Sequence, residues 1–381
     1  MTTHAETLRG AQGGVTGWLR RGLRRQPSRR TVPAAVLEGT ELIHLGGGES
    51  LPCPGVERLP LASSARHLGL GSASLALPPA RAHVLRDVTL CPTSRTVLDR
   101  EGRIVAESLS SDMVGRVGPD DRELSSEALE IEGTVAIYRS PWRPYFHMLI
   151  DHLPRAALLA QPAMRRLGPI TLVHDGPLPA LEHHLLSNLL PAGVRLQEVE
   201  PGRRVLADRV VLPGYVTRPA SGAIPSWYRR WVDREAAAAS PTGVGQRARR
   251  RIFIDRVASP RRVVNRAELE PVLERHGIEV VEPSVLAPEE EMALFRDAEL
   301  VIGVTGSGLA NSLFSRGAHV VELVPGTELL PHFFYLATAK GLPYDYVLSP
   351  PDRQRLSAEE RLRRDVVVDT ARLDELLSAR G

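Results

Sequence analysis

The sequence predicts an α/β protein made of two Rossmann-like, doubly wound halves joined by a short linker. Three observations carry this. Strand-like and helix-like patterns alternate from Gly133 to Ala238. A small-residue stretch, Ala236 to Gly245, then interrupts the pattern. Beyond it the alternation restarts as β-α-β-α-β-α-β between about 248 and 350.

Length and composition bound the class. At 381 residues the chain can hold two or three domains, and 43% hydrophobic with 24% charged residues describes a soluble globular protein. A net charge of only +3 and 4% aromatic residues argue against nucleic acid as a partner. Cys53 and Cys91 have no metal-ligand spacing and fit a reducing cytoplasm. No apolar run approaches the roughly 18 residues of a membrane span. The N-terminus lacks the apolar core of a secretory signal.

In chain order, residues 1–32 form a basic tail with Arg20, Arg21, Arg24, Arg25, Arg29 and Arg30 beside Trp18, Leu19 and Leu23. It reads either as a flexible arm or as a short amphipathic segment with weak affinity for an anionic membrane surface. Residues 33–240 form the first domain. Its early part, to about Val135, reads as short strands and loops, Ala82–Leu85 and Arg103–Ala106 among them. Gly133–Tyr138 is a clearer strand, and Tyr145–Arg155 has apolar residues at helical spacing on both sides of Pro154. A strand at Ile170–His174, a helix from Ala180 to Leu190, strands at Val194–Leu196 and Val210–Leu212, and a helix from Pro225 to about Ala238 complete it.

The second domain spans 248–350. Arg251–Ile254 is a strand, and Asn265 caps a helix to about His276 with Glu268 three residues later. Ile278–Val281 is a strand, Pro288–Ala298 a helix, and Glu299–Val304 a strand ending in a glycine turn. His319–Val324 is the next strand. Residues 351–381 add a helical extension, with helices starting at Ser357 and at Asp369 or Thr370.

The glycine turn, Gly303-Val304-Thr305-Gly306-Ser307-Gly308-Leu309-Ala310-Asn311, is the most informative segment. Gly306 and Gly308 allow close backbone approach, and amides at a following helix start suit a diphosphate. Glu322, about 20 residues past the first glycine, is placed to accept hydrogen bonds from a ribose. The glycine order is G-x-x-G-x-G, neither the dinucleotide order nor a P-loop. An NAD(P)-dependent oxidoreductase and a non-catalytic nucleotide-sugar-binding protein therefore stand as alternatives to an enzyme acting on a nucleotide-linked substrate.

Two Rossmann-like halves about a linker resemble the GT-B architecture, with two domains facing a cleft and the donor on the C-terminal one. Three segments together resemble glycosyltransferase family 61, which includes bacterial capsular-polysaccharide and exopolysaccharide enzymes. The first is Tyr145-Phe146-His147-Met148-Leu149-Ile150-Asp151-His152-Leu153-Pro154-Arg155. The second is Ile252-Phe253-Ile254-Asp255-Arg256 with Arg261-Arg262-Val263-Val264-Asn265. The third runs from Pro283 to Glu322 through Leu294-Phe295, the glycine turn, Asn311, Phe314 and Gly317. Four positions depart from the family's usual residues: Thr305 stands for His, Ser307 for Ala, Asp255 for Ser and Glu291 for Gln. Thr305 can exchange hydrogen bonds but cannot carry positive charge toward a diphosphate.

The resemblance implies inverting transfer of a sugar from a nucleoside-diphosphate sugar, by family default UDP-linked, to a hydroxyl of a glycan or glycoconjugate. His147 and Asp151, four apart on a helix, share a face and are the candidate base and orienting group. Arg256, Arg262, Asn265, Thr305, Gly306, Ser307, Gly308, Asn311 and Glu322 are the candidate donor-binding residues. No Asp-x-Asp occurs, so no metal and no further cofactor is expected. The expected location is the cytoplasm, at the inner face of the plasma membrane if the tail docks there.

Overall fold

The protein is described from a computed structural model covering residues 30–67, 69–110, 113–218, 221–239, 250–255, 261–351 and 365–379. The basic segment before Arg30, the expected linker from residue 240 onward, Arg256 and the helix expected at Ser357 lie outside these residues, while the linker's first residues, Ala236–Ala238, end a helix.

The strands are β1 Thr31–Val32, β2 Glu41–His44, β3 Glu49–Pro52, β4 Ser74–Leu77, β5 Arg81–Leu85, β6 Thr89–Cys91, β7 Thr96–Leu98, β8 Ile104–Val105, β9 Ala128–Ala136, β10 Ile170–Asp175, β11 Val194–Val199 and β12 Arg204–Pro213 in the first half. In the second half they are β13 Arg250–Ile254, β14 Glu279–Val281, β15 Ala298–Val304, β16 His319–Val324 and β17 Tyr344–Leu348. Mixed α/β architecture with parallel sheets is thus observed.

The second sheet has five strands in the order β14-β13-β15-β16-β17, and each of its pairs is parallel. Its strands bury both faces. Ile252, Ile254, Val301 and Val320 pack toward the helices Pro288–Arg296 and His332–Lys340 and the 3-10 helix Ser307–Phe314. The alternating residues Phe253, Leu300, Ile302, Val321 and Leu323 pack toward the helices Arg266–Arg275 and Thr370–Ser378. This is the doubly wound pattern with the order 2-1-3-4-5. The strand sequence reverses direction between β13 and β15, which makes that gap the switch point of the sheet.

The first sheet departs from the expected doubly wound half. It has ten strands and is mixed: β12-β9-β10-β11 are parallel, while β5 and β6 pair antiparallel with β12. Residues before Val135 had shown only short apolar pieces, and those pieces add antiparallel strands to a parallel core. Where β9 meets β12 the register shifts between Ala207 and Arg209. There Gly133 takes φ +84°, and its N–H donates to Asp208 Oδ2 at 2.8 Å. A bulge of this kind bends a strand pair. The chain runs from β9 to β10 to β11 on one side and returns with β12 on the other, so this sheet has its switch point between β9 and β12.

One apolar cluster runs through both halves. It joins Leu153, Leu172 and Val211 of the first half to Phe295, Leu313 and Phe333 of the second. The helix Ser226–Ala238 lies in this seam, with Tyr228, Val232 and Ala236 buried. Where a cleft between two domains was expected, the described residues meet across a packed boundary at this level.

Candidate active site

The site is built on one helical segment, Tyr145 to Ala160, that follows β9. Its middle turn, Met148–His152, widens to π geometry, with Leu153 N–H donating to Met148 O. Pro154 explains the widening. It has no N–H to offer and its ring crowds the carbonyl four residues earlier. The Leu149 carbonyl then has no helix donor at the i+5 position, and Tyr228 OH supplies one from the seam helix at 2.7 Å.

Across this turn His147 and Asp151 meet. His147 Nδ1 lies 2.6 Å from Asp151 Oδ2, and Thr217 Oγ1 donates to Asp151 Oδ1 at 2.7 Å. Asp151 is buried, and His147 shows 7% exposure, its ring stacked on Trp142 at 4.9 Å and 14°. With both oxygens engaged and no surface, Asp151 suits the orienting role and His147 the proton-accepting one. Thr217 comes from the loop after β12 and the helix follows β9, so the pair sits at the carboxyl ends of the strands flanking the first switch point. Open α/β sheets bind ligands at such points.

A charge network, buried except for Arg143, supports this end of the sheet. Arg95, Arg139 and Arg143 reach Asp175 at 3.4, 3.1 and 3.2 Å. Arg139 also pairs with Glu182 at 2.6 Å, which accepts from Tyr138 OH. Arg95 Nη1 donates to the carbonyls of Ser140 and Trp142, bracing the Trp142 ring against His147. Burial pushes the Arg95 guanidinium down to about 10, with Asp175 opposing. His152 faces Ser140 Oγ at 3.0 Å, and burial, then Arg95, hold its imidazole well below the usual range.

The glycine turn occupies the second switch point. Thr305 follows β15, Gly306 is extended, and Ser307 opens the eight-residue 3-10 helix. Ser307 and Gly308 are half-buried at the surface. A Cβ on Gly308 would stand 3.1 Å from Ile254 Cγ2, and one on Gly303 would stand 3.0 Å from Leu309 Cδ2. Both glycines therefore serve close packing of the turn on β13. Arg261 Nη1 donates to Thr305 O at 2.6 Å across the β13–β15 gap.

Several candidate donor residues have other employment here. Arg262 has an exposed side chain, and its N–H donates to Asp365 Oδ1; Arg261, its neighbour with φ +73°, reaches the turn instead. Asn265 holds the C-terminal segment, donating to Val368 O and accepting from Val368 N, both at 2.9 Å. It makes no side-chain cap to its own helix, and its amide pairs with Glu268 at 3.0 Å. Asn311 is buried, donating to Glu291 Oε1 at 2.7 Å and accepting from Tyr145 OH at 2.5 Å. Burial raises the Glu291 carboxyl above its ordinary value.

Glu322 is the clearest correction. It is fully buried and accepts from Thr305 Oγ1 at 2.5 Å and Tyr344 OH at 2.6 Å. Both oxygens are occupied beneath the turn, so it presents no acceptor to a ribose. Burial pushes its carboxyl up to about 7 against those two hydrogen bonds and Arg261. Thr305 consequently turns its hydroxyl inward rather than toward a diphosphate.

Arg95, Arg139, Tyr145, Thr217, Arg261 and Tyr344 were not singled out from the sequence, and Arg155 only as an i,i+4 partner for Asp151. Tyr145, Arg155 and Arg261 stood inside the quoted motifs, and their type and position were the available signal. Thr217 lies 66 positions from its partner and offers none. Among the described residues, no His, Cys, Asp or Glu cluster forms a metal-binding group, and no helix is long and apolar enough to cross a membrane. A separate open groove of ≈ 550 Å³ beside Arg86, Arg100 and Asp208 contains none of these groups.

The class that these findings support is that of the glycosyltransferases. Residues 145–321 match the family model of glycosyltransferase 61. That span contains the site helix, the glycine turn and β16 as far as Val321. No curated protein matches the chain. Two solved structures are similar over 93% of this chain and 98% of their own: dodecameric iron-containing heptosyltransferase TibC in complex with ADP-D-beta-D-heptose, at 9% identity, and iron-containing dodecameric glycosyltransferase TibC from enterotoxigenic E. coli H10407, at 10%. Both have a TM-score of 0.33, at which a likeness carries no argument about fold, metal or assembly.

Proposed function

We propose that this chain is an inverting, metal-independent glycosyltransferase of GT-B-like organisation, moving a sugar from a nucleoside-diphosphate donor to a hydroxyl of a glycan or glycoconjugate. The observation that carries the reading is the His147–Asp151–Thr217 relay at the first switch point. His147 accepts the acceptor's proton through Nε2 as the hydroxyl oxygen bonds to the anomeric carbon. Asp151 stabilises the imidazolium that forms. On the opposite face the bond to the diphosphate breaks, and the leaving charge falls to backbone amides at Gly306–Gly308 and to Arg261. One base and no covalent intermediate are needed.

His147→Ala is expected to lower turnover by roughly 10²–10⁴-fold while leaving donor binding unchanged. Turnover is read by mass spectrometry over a panel of nucleotide sugars and acceptors, and donor binding by thermal shift with NAD and NADP as controls. Wild-type activity in His147→Ala would remove the base assignment. A thermal shift with NAD or NADP alone would move the chain to oxidoreductase chemistry. Turnover is expected to persist in chelator; its abolition, with rescue by Mn²⁺, would end the metal-independent reading.

A further inference from the structure

We propose that residues 365–368, near the C-terminal end of the chain, form a clasp that holds Arg261 against the glycine turn, and that Asn265 serves sugar transfer as a positioning residue through this clasp. This rests on the turn being the place where the diphosphate leaves. Arg261 has φ +73°, in the left-handed region that residues with a side chain rarely adopt. Such a backbone state persists only where its surroundings over-determine it. At this point the two neighbouring arginines part company. The Arg262 side chain is exposed, whereas Arg261 is half-buried and its Nη1 donates to Thr305 O at 2.6 Å.

The restraint on this loop comes from far along the chain. Arg262 N–H donates to Asp365 Oδ1 at 2.9 Å, and the Arg262 carbonyl accepts from Val366 N–H at 2.8 Å. Val264 N–H donates to Val366 O at 2.9 Å, so Val263 and Val366 pair as a short parallel bridge. Asn265 closes the clasp with both ends of its amide. Its Nδ2 donates to Val368 O and its Oδ1 accepts from Val368 N–H, each at 2.9 Å and across 103 positions of sequence. Asparagine before a helix ordinarily caps it. Asn265 precedes the helix Arg266–Arg275 and makes no cap to it; its amide is spent on the clasp instead.

Apolar burial anchors the clasp but does not set its register. Val366 and Val368 are buried while Asp365 and Val367 are exposed. Leu373 and Leu377 of the helix Thr370–Ser378 share a core with Leu269 and Leu273 of the helix Arg266–Arg275. Asp374 adds an edge contact, to His276 Nε2 at 2.7 Å. Burial of this kind is non-directional and asks only that the two valines and the helix be covered. The hydrogen bonds at Arg262, Val264 and Asn265 fix which residue faces which. They hold the residue immediately after Arg261 by both its N–H and its carbonyl, and so fix the direction in which the Arg261 side chain leaves the loop.

The test is hydrogen exchange of the full-length protein without ligand, read by mass spectrometry on peptides covering the turn at 303–309. The helix Pro288–Arg296 is the control for a global loss of stability. Arg261→Ala and Asn265→Ala are each expected to speed exchange in the turn by roughly 2–10-fold, the factor that one hydrogen bond carries, with the control unchanged. Asp365→Ala, at an exposed position, is expected to act like Asn265→Ala and takes its place if that variant does not fold. Because Asn265 works through Arg261, the double variant should exchange no faster than Arg261→Ala alone. An unchanged turn in any folded single variant would overturn the proposal. So would a turn and control that rise together, the mark of a structural role, or single effects that multiply in the double variant. In kinetics, Asn265→Ala should lower kcat with little change in donor KM, as Arg261→Ala does, and the double variant should fall no further. The exchange result does not depend on a donor, so failure of the donor-site reading, seen as a wild type that transfers sugar from no member of the nucleotide-sugar panel, is separately visible.

Discussion

Glu322 shows how a residue's surroundings can reverse the role suggested by its position. It stands at the strand position where a ribose acceptor would be, yet it is sealed beneath the turn with Thr305 and Tyr344 as its donors. Burial pushes its carboxyl up to about 7 from an ordinary value of 4.5. A group raised in the folded state contributes stability that is fully present below its unfolded value and lost as pH rises through the folded one. The window here is pH 4.5 to 7. Relative to Glu322→Gln, wild type is expected to lose on the order of 2–3 kcal/mol of stability between pH 5 and 8. Denaturant melts of both proteins across that range would measure it, and parallel curves would refute it.

At the scale of an element, the site helix depends on a repair made from outside it. Pro154 opens the π turn, and the freed Leu149 carbonyl is satisfied by Tyr228. Tyr228→Phe removes only that hydroxyl and leaves a buried acceptor unpaired. The expected cost is about 1–3 kcal/mol. The turn that brings His147 to Asp151 should also loosen, so kcat should fall more than donor affinity. An unchanged denaturation midpoint and unchanged kcat would show that the turn holds without Tyr228.

For the whole molecule, the shared core and the polar contacts across the seam tie both sheets into one unit. Tyr145 of the site helix reaches Asn311 and Glu291 of the second half. Gly222, with φ +85°, lies so close to the helix starting at His332 that an added Cβ would stand 2.0 Å from the His332 carbonyl oxygen. Gly222→Ala combines backbone strain with this clash, and a loss of roughly 3 kcal/mol or more is expected. Calorimetry should show a single transition in wild type, shifted down as one peak in the variant. Two resolved transitions, with only one moved, would mean that the halves unfold separately.

The sequence by itself determined the parallel second sheet, the glycine turn after its third strand, the His147–Asp151 spacing and the resemblance to glycosyltransferase 61 over residues 145–321. All of these follow from local periods, turn residues and short motifs, which are written in adjacent positions. It also expected the short strands before Val135, but not that they would pair antiparallel with β12, because pairing is a long-range choice. Tertiary structure alone decided the use of each polar group. Asn265 went to Val368, Asn311 to Tyr145 and Glu291, Glu322 to Thr305 and Tyr344, and the turn's guanidinium came from Arg261 rather than Arg262. The physical reason is that a buried polar group must be paired, and its partner is whatever the fold brings within 3 Å, however distant in the chain.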